Sequence, residues 1–220
     1  MKKNLTDLVL ILDESGSMHG TEKDVAIVRA KITIEEVKYI LSSYYQNTPY
    51  NPYGNAPEKG KYRSIGIART GFMSINQIRS DVPDPLKSIE WICFGSNAFN
   101  TVVPFYTNVN KMPKYISEVG LDVSTDNLYW NSRLIGALAD AHYGSSIMYI
   151  ERYQNAVASR GYKLINEYDK KMIESKDYSL INEANEKIAD MAKEETTSTL
   201  NRVLFDASTK MKNGYNRSDN

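Results

Sequence analysis

Few side chains in this sequence are of the reactive kinds, and each stands where a structural role competes with a catalytic one. There is one cysteine, Cys93, and there are two histidines, His19 and His142. A thiol attacks a carbonyl when it is held as thiolate at an accessible position. Cys93 instead lies within residues 91–94, the most strand-like stretch of the chain, which predicts a buried cysteine acting as a small hydrophobe. His142 has the chemistry of a general base. It shares a helical stripe with Ile135 and Leu138, and the nearby Asp140 faces elsewhere, so a hydrogen-bonded core histidine is expected. His19 is expected to be exposed. No run of His or Cys with metal-ligand spacing, no phosphate-binding glycine loop and no serine elbow occurs.

Composition narrows the classes of partner. The 220 residues carry 27 acidic and 27 basic side chains. With no net charge there is no field to gather nucleic acid or anionic lipid, and neither partner is expected. The 16 tyrosines could stack on bases, but without a basic groove they read as half-buried amphipathic packing. A single cysteine makes no internal disulfide and suits a reducing compartment. Asp7 interrupts a five-residue apolar run and Asp13-Glu14 follows it, which is no secretory signal, and no segment approaches membrane-spanning length. The expected location is cytoplasmic.

The elements that must position these groups fall into zones. Thr33 with Glu36 three residues later forms a capping box, and Ile34, Val37, Lys38 and Leu41 recur at helical spacing, so a helix is expected over residues 33–45. Pro49, Pro52, Gly54, Pro57 and Gly60 make residues 47–60 a loop. Its neighbours Tyr44 and Tyr45, with Tyr50 and Tyr53, either edge a pocket or pin the loop to the body. Residues 61–70 alternate Ile65 and Ile67 with Ser64, Gly66 and Ala68, which predicts a strand with one close-packing face. Residues 89–94 read as a central strand, and residues 102–105 as a third, placed near an edge by Pro104. From Asp126 onward the pattern is helical. Gly161 weakens one run, the stripes Leu180–Ala184–Ile188–Met191 and Leu200–Val203–Leu204–Ala207–Met211 suggest two further helices, and the polar tail over 213–220 is expected to be disordered. Strands in one block and helices in the next imply an α+β fold.

Three blocks, VKYILSSYYQNTPYNPYG over 37–54, WICFGSNAFNTVVPFYTNVNKMPKY over 91–115 and LYWNSRLIGALADAHY over 128–143, in this order and spacing resemble the rear portion of the PepD-like dipeptidases, a branch of the N-terminal-nucleophile hydrolases. The resemblance covers residues of about 21–175. It implies partial sheet and helix layers of that fold with a helical C-terminal region, dipeptides as substrates, and no metal or organic cofactor. In the family, a cysteine at the start of the mature chain attacks the peptide carbonyl while its own α-amino group relays the proton. Met1 and Lys2 cannot play that part. Arg69, in the stretch IARTGFMS, matches by position an arginine that related hydrolases place beside their cysteine, where it would favour thiolate. Arg69 is therefore the one catalytic candidate.

Residues 1–20 follow another pattern. An apolar run, Leu8 to Leu12, leads into Asp13-Glu14-Ser15-Gly16-Ser17 and resembles the opening strand and metal loop of a von Willebrand A-type domain. That resemblance implies a carboxylate from Asp13 and hydroxyls from Ser15 and Ser17 on a divalent cation. The two later ligands of that family are not found after buried strands here, Thr125-Asp126 being the nearest imitation, so no bound metal is expected. The resulting expectation is a foreign segment over 1–20, a partial dipeptidase-like domain over 21–212 and a tail. The junction near Gly20-Thr21 would come from a fusion, a deletion or a misplaced start. Such a chain would hydrolyse dipeptides only with a complementing N-terminal half, and a sheet edge left open could drive self-association. The competing classes are a metal-dependent binding module and a non-catalytic structural remnant or subunit.

Overall fold

Helix formation after the N-terminal segment starts from one reciprocal cap. Thr33 is extended at φ −87° and ψ 160°, its hydroxyl accepts from the Glu36 N–H at 3.1 Å, and the Glu36 carboxylate accepts from the Thr33 N–H at 2.8 Å. Two donors that a helix start leaves unpaired are thereby satisfied, and α1 runs from Ile34–Leu41. The structure, a computed structural model, describes the strand Val9–Leu12 and residues 32–211. The loop of Asp13, Ser15 and Ser17, His19 and the tail over 213–220 lie outside the described residues.

Four antiparallel strands follow one another across a sheet in chain order: β1 (Val9–Leu12), β2 (Phe72–Ile78), β3 (Ser88–Phe94) and β4 (Val103–Tyr106). The apolar run near the start is thus a strand, set beside β2 with Ile11 opposite Ile75. Ile75 in turn faces Trp91, and Trp91 faces Pro104. The central strand expected over 89–94 is β3, where Ile89, Trp91, Ile92 and Cys93 are all buried. Trp91 anchors both directions, its Nε1–H donating to Gln77 Oε1 at 3.0 Å and its ring lying 4.8 Å from that of Tyr162.

Residues 61–70 are not a strand; β2 begins after them, at Phe72. Their small side chains serve a close approach of another kind. The N–H groups of Ile65 and Gly66 both donate to the Ser43 carbonyl at 2.9 Å. A Cβ on Gly66 would stand 2.6 Å from the Ser42 carbonyl oxygen. Backbone packed this tightly on the end of α1 has its hydrogen bonds used there and cannot join a ladder.

The helices α2 (Lys114–Ser117), α3 (Leu128–Ala141), α4 (Tyr143–Ser175) and α5 (Ile181–Thr209) follow among the described residues. Gly161 does not break α4. It removes the side chain that would otherwise meet Pro104 Cγ at 3.0 Å, so helix and edge strand lie in contact. The two helices expected after Leu180 are one, α5, carried through Thr196 by a hydroxyl that donates to the Ala192 carbonyl at 2.7 Å and meets the Tyr115 hydroxyl at 2.6 Å.

The β4 edge is closed by a side chain. Asn185 of α5 accepts from the Tyr106 N–H at 2.9 Å and donates to the Tyr106 carbonyl at 3.0 Å, taking the place of a neighbouring strand. Beside it a buried ion pair locks sheet to helix. Arg79, just past β2, donates to Asp169 of α4 at 2.5 and 3.2 Å, and the Tyr106 hydroxyl donates to the same carboxylate at 2.8 Å. The fold class is α+β, as expected. Among the described residues no helix is long and apolar enough to cross a membrane.

Candidate functional site

The chain leaves α1 through two non-glycine residues in the left-handed region, Tyr45 at φ 61° and Asn47 at φ 62°. Such residues are uncommon, and for a bulky aromatic the conformation has to be held by its surroundings. Tyr45 is held by an edge contact with Tyr50 and a tilted one with Tyr62, each at 6.1 Å between ring centres. The double reversal turns Tyr44 and Gln46 inward, where the Gln46 side chain accepts from the Tyr44 N–H at 3.0 Å.

Tyr44 then becomes the centre of an aromatic wall. Its hydroxyl is 3.0 Å from that of Tyr143, and Tyr143 stacks on Tyr53 at 4.1 Å with an interplanar angle of 5°. Phe99 closes the group, 6.0 Å from Tyr53. The Tyr53 hydroxyl donates to Asp140. Burial and these hydrogen bonds push the Tyr44 and Tyr53 phenols well above the usual tyrosine range. The sequence left open whether these tyrosines edge a pocket or pin the loop, and they do both.

Two cavities flank this wall. The larger, about 280 Å³, lies between α1 and α4 and is lined by Glu35, Lys38 and Ser42 on one side and by Glu151, Gln154 and Asn155 on the other. The α4 face that meets it carries Tyr143, Ile147, Glu151, Gln154 and Ala158, a helical repeat of three and four. Gln154 is fixed by donating to the carbonyls of Ala98 and Asn100 at 3.2 and 3.0 Å. Lys38 is half-buried, and burial, offset in part by the neighbouring Cys93, pushes its ammonium down to about 8. Among the described residues it forms no ion pair. The smaller cavity, about 190 Å³, has Arg133 and Asp140 of α3 in its lining, with Gly66, Ala68 and Ser96 opposite.

The reactive residues anticipated from sequence are not gathered in one place. Arg69 is exposed in the irregular run before β2, next in sequence to Ala68 of the smaller cavity. Cys93 is wholly buried, and burial pushes its thiol up to about 12. A thiol so placed is neutral at pH 7 and has no approach for a substrate. His142 is no core histidine. The helix ends at Ala141, and His142 sits half-buried at the turn between α3 and α4, where its backbone carbonyl accepts from the N–H groups of Ser145 and Ser146. In the sequence Lys38 is only one position of a helical stripe, since nothing in the spacing distinguishes a cavity lysine from a surface one. Among the described residues no cluster of three or more His, Cys, Asp or Glu is placed to hold a metal ion.

Each cavity thus has one cationic side chain and at least one carboxylate in its lining, beside a tyrosine wall on an α+β body. Comparison with known proteins gives the family: the profile of peptidase family C69 matches residues 23–156, and the chain belongs to that family. Two probable dipeptidases A from Streptococcus pyogenes are each 41% identical to it over 192 residues, which is 86% of this chain and 40% and 41% of theirs. A dipeptidase from Bifidobacterium longum is 34% identical over 233 residues, again 86% of this chain and 44% of its own length. The chain thus spans less than half the length of these relatives. None of the comparisons supports the likeness of residues 1–20 to a von Willebrand A-type domain.

Proposed function

We propose that this chain forms part of the body of a dipeptide-hydrolysing enzyme of the N-terminal-nucleophile type, supplying cavity walls while the attacking group comes from outside the described residues. The observation that carries the reading is the family match set against the state of Cys93. A cysteine peptidase needs an accessible thiolate, and the single cysteine of this sequence is a buried neutral thiol in β3, an inner strand of the sheet. In a nucleophile with its own free amino group, attacking atom and base occupy one residue, so the rest of the fold has only to bind and orient substrate. The relatives named as dipeptidases support dipeptides as that substrate. Arg69 is the residue of this chain best placed by its sequence context to stand beside the family's cysteine and favour its thiolate, and its exposed position leaves it free to meet another segment.

The test is a turnover assay of the purified 220-residue polypeptide over a panel of dipeptides. No hydrolysis above background is expected. Hydrolysis that disappears in Cys93→Ala would make Cys93 the nucleophile and overturn the reading. If turnover is restored by adding a polypeptide with an N-terminal cysteine from the part of a C69 relative that this chain does not span, Arg69→Ala should lower the restored rate by about tenfold or more, the scale of one charge-assisted contact.

A further inference from the structure

We infer that the cavity between α1 and α4 is a carboxylate-anchoring subsite, in which the Lys38 ammonium pairs with the C-terminal carboxylate of a dipeptide. The inference rests on the dipeptidase reading above and adds to it the place and polarity of binding.

Its first support is a cation without a counter-charge. Lys38 lines the cavity and has no ion-pair partner among the described residues, although Glu35 one turn before it and Glu151 on the facing helix line the same space. Both carboxylates are exposed, whereas Lys38 is half-buried. The second support is the energetic state of that cation. Taking an ammonium out of water without a partner is unfavourable, and here the burden shows as a proton held less tightly than in a free lysine. An arriving carboxylate would offset that burden, and an ion pair in such a place is stronger than one at the surface.

The third support is the lining around it. Ser42, Gln46, Asn47, Thr101 and Asn155 add polar groups to a space of about 280 Å³, which lies near the lower bound of about 300 Å³ for small-ligand cavities. Two left-handed residues, Tyr45 and Asn47, set the turn that brings Gln46 into this lining. The exposed Glu35 and Glu151 are available at the solvent side for the ammonium end of the same zwitterion. Arg133 is the competing anchor in the smaller cavity, but it is exposed and lies over the Tyr129 ring at 5.8 Å, where water competes for its charge.

Calorimetric titration of the full chain with alanyl-leucine, its C-terminal amide and its N-acetyl derivative tests this. The acid is expected to bind at least about tenfold tighter than the amide, and Lys38→Met should remove that preference by weakening the acid alone, as a cycle on one shared interaction requires. Equal binding of the acid by Lys38→Met and the unaltered chain, or no preference for acid over amide, would overturn the anchor and leave the dipeptide reading standing. Failure of the unaltered chain to bind any of the three would overturn the anchor, while the dipeptidase reading stands or falls on the restored turnover above. If Lys38→Met does not fold, Arg133→Gln decides: a retained preference for the acid supports Lys38, and its loss moves the anchor to Arg133.

Discussion

Two residues that feel one another's charge, Lys38 and Cys93, show how position overrides chemical type. Each is pushed toward its neutral form by the same cause, burial, yet one lines a cavity and the other fills a sheet. Lys38 therefore destabilises the fold while it carries a proton. Below pH 8 both folded and unfolded chains hold that proton and the full burden is present. Between about 8 and the ordinary lysine value of 10.5 the folded chain releases it first, the unfolded state binds more protons, and this contribution to stability rises with pH. Lys38→Met is accordingly expected to raise the melting temperature at pH 7 by about 2–8 °C, from about 1–2 kcal/mol after discounting for solvent screening. The gain should shrink when both proteins are melted at pH 10. A variant that melts lower at pH 7 would mean that the ammonium has a stabilising partner. None of this was legible in the sequence, where Lys38 is one position of a helical stripe, because a cavity is made by elements distant along the chain.

At the scale of elements, the pattern was legible where a local rule acts alone. The Thr33–Glu36 cap, the proline-rich loop and the central strand around Trp91 all depend on a few neighbouring residues, and each stands where expected. It was misleading where a distant backbone decides. Gly66 and Gly161 look like a strand's small face and a helix's weak point, and both are instead sites of close approach. Gly161→Ala separates the two influences. Local propensity favours alanine by about 1 kcal/mol, whereas a Cβ would be 3.0 and 3.1 Å from two ring carbons of Pro104, within a packed strand whose far side is fixed by Asn185. Overpacking of this kind costs about 1–3 kcal/mol, so a net loss of up to about 2 kcal/mol is expected in chemical denaturation. An increase in stability would show that α4 slides freely over β4. The site was legible in part: the tyrosines were marked as pocket or pin, while Arg69 stands apart from Cys93's buried environment, and His142 at a turn could not be told from a core histidine by spacing alone.

For the molecule as a whole, the unusual number of tyrosines makes the response to alkali the most direct report on the fold. The phenols of Tyr44, Tyr53, Tyr106 and Tyr153 are all raised, with burial the leading cause in each, and the Cys93 thiol is raised to about 12. A group whose proton is held more tightly in the folded state contributes stability that is complete below its unfolded value and lost as pH climbs toward its folded one. The unfolded values here are the ordinary 9.0 for the thiol and 10.0 for the phenols. Loss should therefore begin near pH 9 and steepen above 10, and the smaller opposing gain from Lys38 is exhausted by about 10.5. These phenols hold the aromatic wall and the contact of α4 with the sheet, so they cannot ionise one by one without opening the core. Following phenolate absorbance and circular dichroism together should show an early group of exposed tyrosines titrating with no change of fold. A second group should ionise only in an abrupt step that coincides with unfolding. Cys93→Ala should move the onset of that step upward in pH relative to its own stability at pH 7, since one proton-linked contribution has been removed. A smooth titration of all 16 tyrosines with the fold intact would mean that the wall between the two cavities is open to solvent.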